Sequence, residues 1–339
     1  MGICRLLLAA ALAALPNVRR AGAEPSAVGE ASRFGPAEAS EPARLASRSL
    51  LLDAVGQGSR VIAVGERGHV LVSEDGGFKW TQAATPTRGM LTAAAAAGDR
   101  DVWAVGHDAV VLHSGDGGAT WARQFNAPEE EKPLMDVWFE NAGHGLAVGA
   151  YGLAIETRDG GATWERRTLD EEERHAYAIA AAPDGTVYVA GESGLVLRSS
   201  DKGATWERLP TPYEGSFFGA LALSDGAILV WGLRGHVLRS ADRGSTWQPA
   251  ETRTSVSLLG GTECRNGDVV LVGLFGTILV SHDKGLHFTP SNRPDRKGLS
   301  AVVEPAAGGL LLMGESGAVR AGNGLLNPPD GAKAPPGKP

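Results

Sequence analysis

The chain has 339 residues, with 32 Lys and Arg against 39 Asp and Glu, and a formal net charge of −7. That balance argues against nucleic acid and anionic membrane surfaces as partners, since both carry the same sign. With two cysteines, one of them Cys4 near the N-terminus, no internal disulfide framework is available to hold the fold.

Residues 1–23 read as an export signal: Arg5 in a short basic stretch, an apolar core over 6–15, and Ala21-Gly22-Ala23 as an A-x-A cleavage site. The apolar run is too short to span a bilayer, so no direct membrane insertion is expected. Cys4 precedes the apolar core, which is the wrong place for a lipoprotein. The expected location is outside the cytoplasm, in the periplasm or a thylakoid-lumen equivalent. Removing Arg5, Arg19 and Arg20 takes the formal charge to −10 and leaves Cys264, beside the Asn266-Gly267 turn, as the only thiol. Residues 24–38, rich in Ala, Glu, Ser and Pro, read as a disordered linker.

From residue 39 the chain is periodic. The stretch Ser114-Gly115-Asp116-Gly117-Gly118-Ala119-Thr120-Trp121 has five relatives, built on Asp75, Asp159, Asp201, Asp242 and Asp283. Successive Asp positions lie 41, 43, 42, 41 and 41 residues apart, the spacing at which one repeat makes one propeller blade. Each copy follows an alternating apolar run and ends in an aromatic that starts another, so it reads as a hairpin turn. The carboxylate is placed to accept backbone N–H bonds within the turn, and the Gly tolerates positive φ. The aromatic is placed to pack between sheets. These are structural roles, and one carboxylate per copy falls short of a calcium loop, so no metal is expected.

A second motif, Gly-x-x-Gly, occurs at Gly65/Gly68, Gly149/Gly152, Gly191/Gly194, Gly232/Gly235, Gly273/Gly276 and Gly314/Gly317, with Gly106/Ala109 as an imperfect copy. Seven units follow, and hence an all-β, seven-bladed β-propeller over residues 39–322. The last unit has no Asp motif, and the Pro-rich stretch 323–339 reads as a disordered tail. Blade seven then lacks an outer strand, which residues 39–45 are expected to supply by returning across the junction.

The innermost strands carry few ionisable groups. Asp53 and Asp136 are expected to bond backbone amides, and no catalytic set converges on the channel. The connections on the Gly-x-x-Gly face are uneven. Acidic runs at residues 129–131 and 170–173 enter blades three and four. Blades five and six place Leu233, Arg234, Leu274 and Phe275 in their turns, with Tyr213 and Phe217 beside them. That group is the candidate partner-binding site, because contiguous apolar turn residues mark interaction surfaces.

The pattern S-x-D-x-G-x-T-W is similar to the Asp-box, or BNR repeat, of sialidases and other propellers. The full unit, exported and without a sialidase R-I-P signature, resembles the photosystem II stability and assembly factors of photosynthesis. That resemblance implies a non-enzymatic, cofactor-free monomer that binds a protein subunit of a membrane complex. The alternatives are a sialidase-like glycoside hydrolase and a carbohydrate-binding propeller; the bland inner strands favour neither.

Overall fold

A computed structural model describes residues 38–321. The export signal, nearly all of the linker and the tail expected after residue 322 lie outside them. The described chain forms seven antiparallel sheets in sequence order, six of four strands and the last of three. Their first strands are Leu51–Gln57, Leu91–Ala97, Leu134–Phe139, Ala176–Ala181, Phe217–Ala222, Leu258–Glu263 and Leu299–Val303, and each contacts the first strand of the next blade around the ring. The result is a seven-bladed propeller.

Every first strand carries a register shift at the same place: Leu52, Thr92, Met135, Tyr177, Phe218, Leu259 and Ser300 are skipped in the ladder with the second strand. Such a bulge re-aims one side chain out of the alternation. Here Leu52, Met135, Tyr177, Phe218 and Leu259, from blades one, three, four, five and six, meet in one buried cluster. The two polar members tie neighbouring blades instead: Thr92 Oγ1 donates to Leu134 O at 2.7 Å and Ser300 Oγ to Leu51 O at 2.8 Å. The channel is therefore plugged by side chains at this level.

Between the blades lie seven apolar seams. The aromatic of each Asp motif enters the seam with the preceding blade: Trp80, Trp121, Trp164, Trp206, Trp247 and Phe288. The seam between blades six and seven has no such aromatic. Cys264 is buried there among Val270, Val280 and Leu299, and burial pushes its thiol up to about 12.

The Asp motif is held by two side chains. In blade four Ser199 Oγ donates to Asp201 Oδ1 at 2.7 Å and accepts the Gly203 N–H at 2.7 Å. Asp201 Oδ1 accepts the Thr205 N–H, and Oδ2 the Thr205 hydroxyl at 2.6 Å. The same set recurs around Asp116, Asp159 and Asp242. In blade six His287 Nδ1 replaces the Thr hydroxyl on Asp283 at 2.6 Å, and in blade one Asp75 keeps the Ser73 hydroxyl at 2.9 Å and the backbone bonds, with Lys79 in the Thr position. The Ser hydroxyl is the buried member, so Ser199→Ala leaves the buried Gly203 N–H without its acceptor. It should cost about 1–3 kcal/mol in denaturant unfolding.

The Thr205 and Thr246 hydroxyls, followed by the backbone N–H bonds, lower the Asp201 and Asp242 carboxyls to about 2. A folded pKa below the unfolded value means stability that is complete above the unfolded pKa and lost as pH falls through the folded one. The melting temperature should therefore hold above about pH 5 and fall between about pH 4 and pH 2. Thr205→Val combined with Thr246→Val should flatten that fall.

The ring does not close as expected. Residues 39–45 form no strand of blade seven; their hydrogen bonds go to blade one and the connection after it. Ser40 N donates to Thr85 O at 2.9 Å, Ala43 N to Gln82 Oε1 at 2.8 Å, and Arg88 Nε to Ala39 O at 3.0 Å. A short 3-10 turn, Ala46–Arg48, then crosses the seam. Ala46 is buried between blades one and seven, and the Ala318 N–H donates to Ser47 O at 3.0 Å. Arg320 completes the junction by donating to Gly76 O across the ring. A polar segment met by Gln82, Thr85 and Arg88 gains nothing by leaving them for an outer edge. Among the described residues blade seven thus has three strands.

A candidate protein-binding face

The Gly-x-x-Gly turns lie at one end of the propeller and the Asp motifs at the other. In blades one, two, four, five and six the turn is a tight 3-10 loop and in blade three a plain turn, and in all six the third residue is left-handed although it is not glycine: Arg67, Asp108, Tyr151, Ser193, Arg234 and Phe275, with φ between 52° and 60°. Both glycines are forced by close approach. A Cβ at Gly65 would overlap Leu50 O, and one at Gly68, with φ +69°, would overlap Thr87 O on the incoming connection. The loop thereby holds the third side chain outward, and all of them are exposed except half-buried Tyr151.

The second residue of the turns in blades three, five and six, Ala150, Leu233 and Leu274, leans toward the plug. Leu233 and Leu274, with Leu50, Met90 and Tyr151, are half-buried against the central cluster. An aromatic run descends from the rim: Tyr151 meets His175 edge-on at 4.6 Å, His175 stacks over Tyr177 at 6.0 Å, and Tyr177 touches Phe218 at 5.4 Å. His175 Nδ1 accepts the Tyr151 N–H at 3.0 Å, and burial lowers its pKa, so the ring is neutral at pH 7.

The residues expected to bind a partner divide. Phe275 is 56% exposed at the tip of its turn, and Leu274 and Leu233 are half-buried beneath the same surface. Tyr213 stacks on His236 at 4.0 Å and donates its hydroxyl to Leu233 O at 3.1 Å, so it buttresses the blade-five turn. Arg234 is exposed, with its backbone N–H donating to Ser257 Oγ. Phe217 is a correction. It is fully buried in the seam between blades four and five, because the bulge at Phe218 sends the two adjacent aromatics to different places. Three cationic residues pass beside the blade-six turn: a Cβ at Gly276 would touch Arg293, Arg296 and Lys297. Sequence reasoning missed Leu50, Met90 and Tyr151, which join the patch only because the connections pass over the channel.

The opposite sector is acidic. Ala127 N–H donates to Asp108 O, setting the acidic turn Pro128–Glu130 beside the blade-two turn, and Gly152 N–H donates to Arg174 O, setting residues 170–173 beside the blade-three turn. Part of this charge is internally paired, Asp170 and Glu172 with Arg174 and Glu130 with Arg166.

The two mid-strand carboxylates serve the ring. Asp53 Oδ2 accepts the Ala94 N–H at 3.0 Å and Asp136 Oδ2 the Ile179 N–H at 2.8 Å, each reaching the next blade.

The family model for the photosynthesis system II assembly factor YCF48 matches residues 123–327, well over half of the chain. The chain belongs to the YCF48 family. Blade one and most of blade two fall outside the matched stretch, yet they repeat the same unit. Among solved structures, YCF48 bound to a D1 peptide is 19% identical, with a TM-score of 0.65 over 86% of this chain and 98% of that one. YCF48 from Cyanidioschyzon merolae is 18% identical, with a TM-score of 0.65 over 82% and 96%. The WD40 propeller domain of Doa1 follows at 13% identity and a TM-score of 0.63 over 84% and 95%. At these identities the likeness is one of fold. No curated protein matches the chain.

Proposed function

We propose that this YCF48-family propeller is an exported, non-catalytic scaffold that acts as a monomer. It grips a protein subunit of a membrane-associated complex through the blade-five and blade-six sector of its Gly-x-x-Gly face, assisting assembly or function of that complex. The observation that carries this reading is Phe275, a large apolar ring held into solvent by a left-handed turn, above half-buried Leu274 and Leu233 and beside Arg234, Arg296 and Lys297. An exposed aromatic anchor with a charged rim is the anatomy of a protein-binding hot spot. The D1 peptide on a solved YCF48 supports a photosystem-type subunit as the kind of partner. The leader over residues 1–23 supports a periplasmic or lumenal setting.

The test is co-purification of the tagged mature protein from its own envelope. Phe275→Ala and Leu274→Ala should each lower partner recovery by more than about tenfold, an effect of the size expected for hot-spot anchors. Glu130→Lys with Glu172→Lys should lower it little. The reverse pattern would move the site to the acidic sector.

A further inference from the structure

On the Asp-motif face, neighbouring blades are fastened by a repeated latch. The carbonyl just after the motif Asp accepts a hydrogen bond from the preceding blade. Arg198 Nη1 donates to Arg243 O at 2.6 Å, Arg239 Nε to Lys284 O at 2.9 Å, Arg320 to Gly76 O, and Gln124 Nε2 to Gly160 O at 2.8 Å. Arg198, Arg239 and Arg320 occupy one repeat position, the last residue before the Ser of the motif or its counterpart Ala321. A carboxylate beside the guanidinium completes the latch in blades four and five: Glu207 for Arg198 and Asp225 for Arg239.

Four seams carry this latch; blade one, with Val72 at the latch position, sends Arg60 to Asp99 O instead, and blade seven offers blade six no Asp motif. Blade three departs in another way. Glu156 stands at the latch position, buried, and it is met by His144 at 2.8 Å, Arg158 at 2.6 Å and Arg167 at 3.0 Å. Arg167 reaches the next blade only at Ala204 O, two residues past the carbonyl of Lys202. Among the described residues no side chain of blade three donates to Lys202 O. In its place the seam opens into a cleft of about 350 Å³, lined by Trp138, Glu140, Ala181, Asp184 and Lys202. Trp138 is itself an exception, since Ala95, Ala180 and Leu221 hold the same strand position in the blades around it.

We propose that this cleft binds an arginine side chain of a partner protein, which completes from outside the latch that four other seams make internally. The acceptors a guanidinium needs are those of the latched seams: a carboxylate, Glu140, whose Oε2 meets His144 Nδ1 at 3.0 Å and whose Oε1 faces Lys202, and the carbonyl after the motif Asp, on Lys202. The Trp138 ring adds a face on which the planar cation stacks. Lys202 now pairs with Glu140, but its side chain is 59% exposed, and an ion pair of that kind is held weakly enough to yield. A lysine fits less well, because its point charge neither forks across two acceptors nor stacks as a plane. The site is on the face opposite the Phe275 patch and stands independently of it.

The probe is N-acetyl-arginine methylamide, titrated into the full mature chain while the Trp indole NMR signals are followed. One indole signal, absent in Trp138→Phe, should shift saturably. The lysine analogue should bind at least about fivefold more weakly, and Glu140→Gln should weaken the arginine probe about tenfold. Lys202→Ala, which keeps the carbonyl and frees Glu140, should bind it at least as tightly as the parent. The proposal is overturned if no signal saturates, if the lysine analogue binds equally, or if Lys202→Ala binds more weakly. Undiminished binding in a Glu140→Gln chain that melts normally would also overturn it.

Discussion

Phe218→Ala should lower the unfolding free energy by about 3–5 kcal/mol, whereas Phe275→Ala should change it by no more than about 0.5 kcal/mol. Phe218 is one of the five apolar side chains that fill the channel, it is almost wholly buried, and the bulge that aims it there recurs in all seven blades. Removing its ring leaves a cavity bounded by several different blades, and no single blade can shift to fill it without straining its own seams. Phe275 has no such surroundings. Equilibrium urea unfolding of both variants separates the plug from the patch. Equal losses would mean that Phe275 is a packing residue, and would remove the main support for its role in binding.

The second large effect concerns the junction of the ring. A chain beginning at residue 49 should melt at least roughly 5 °C below one beginning at residue 38, or fail to fold. The difference is the loss of Ala46 from the seam between blades one and seven, of the Ala318 N–H bond to Ser47 O, and of the bonds from residues 39–43 to Gln82, Thr85 and Arg88. Together they fasten the segment to blade one and tie it to blade seven, so their removal leaves the seam to Ser300, Arg320, the Ala306 N–H bond to Gly58 O and its apolar packing. Scanning calorimetry on the two chains checks it. Equal melting temperatures would mean that the strap contributes nothing to closure.

The fold was legible because its two motifs are each tied to backbone geometry that repeats. The Asp-motif period counted six hairpins, and the Gly-x-x-Gly turns counted seven blades. Phe275 could be placed on the surface for the same reason: it sits in a tight turn between two apolar runs, at the end of the blade. The channel plug was not legible. A bulge leaves no mark in an alternating apolar strand, so Phe217 read as part of the partner-binding face, although it fills a seam while its neighbour Phe218 fills the channel. The strap was misread because Ala39 to Leu45 was placed by counting intervals, while its polar atoms were matched to Gln82, Thr85 and Arg88 only once the chain had folded. The latch was open to view in the recurrence of Arg198, Arg239 and Arg320 at one repeat position. Glu156 is the one acidic residue at that position, which Val72, His113 and Val280 hold in three other blades.

The central claim is that the blade-five and blade-six sector of the Gly-x-x-Gly face meets a protein partner. A photo-crosslinking amino acid placed at position 275, and separately at positions 130 and 172, tests it most directly in the native envelope. The account predicts one dominant adduct from position 275, with a single envelope protein identified by mass spectrometry, and little from the other two. The same adduct from positions 130 and 172, with none from 275, would contradict it.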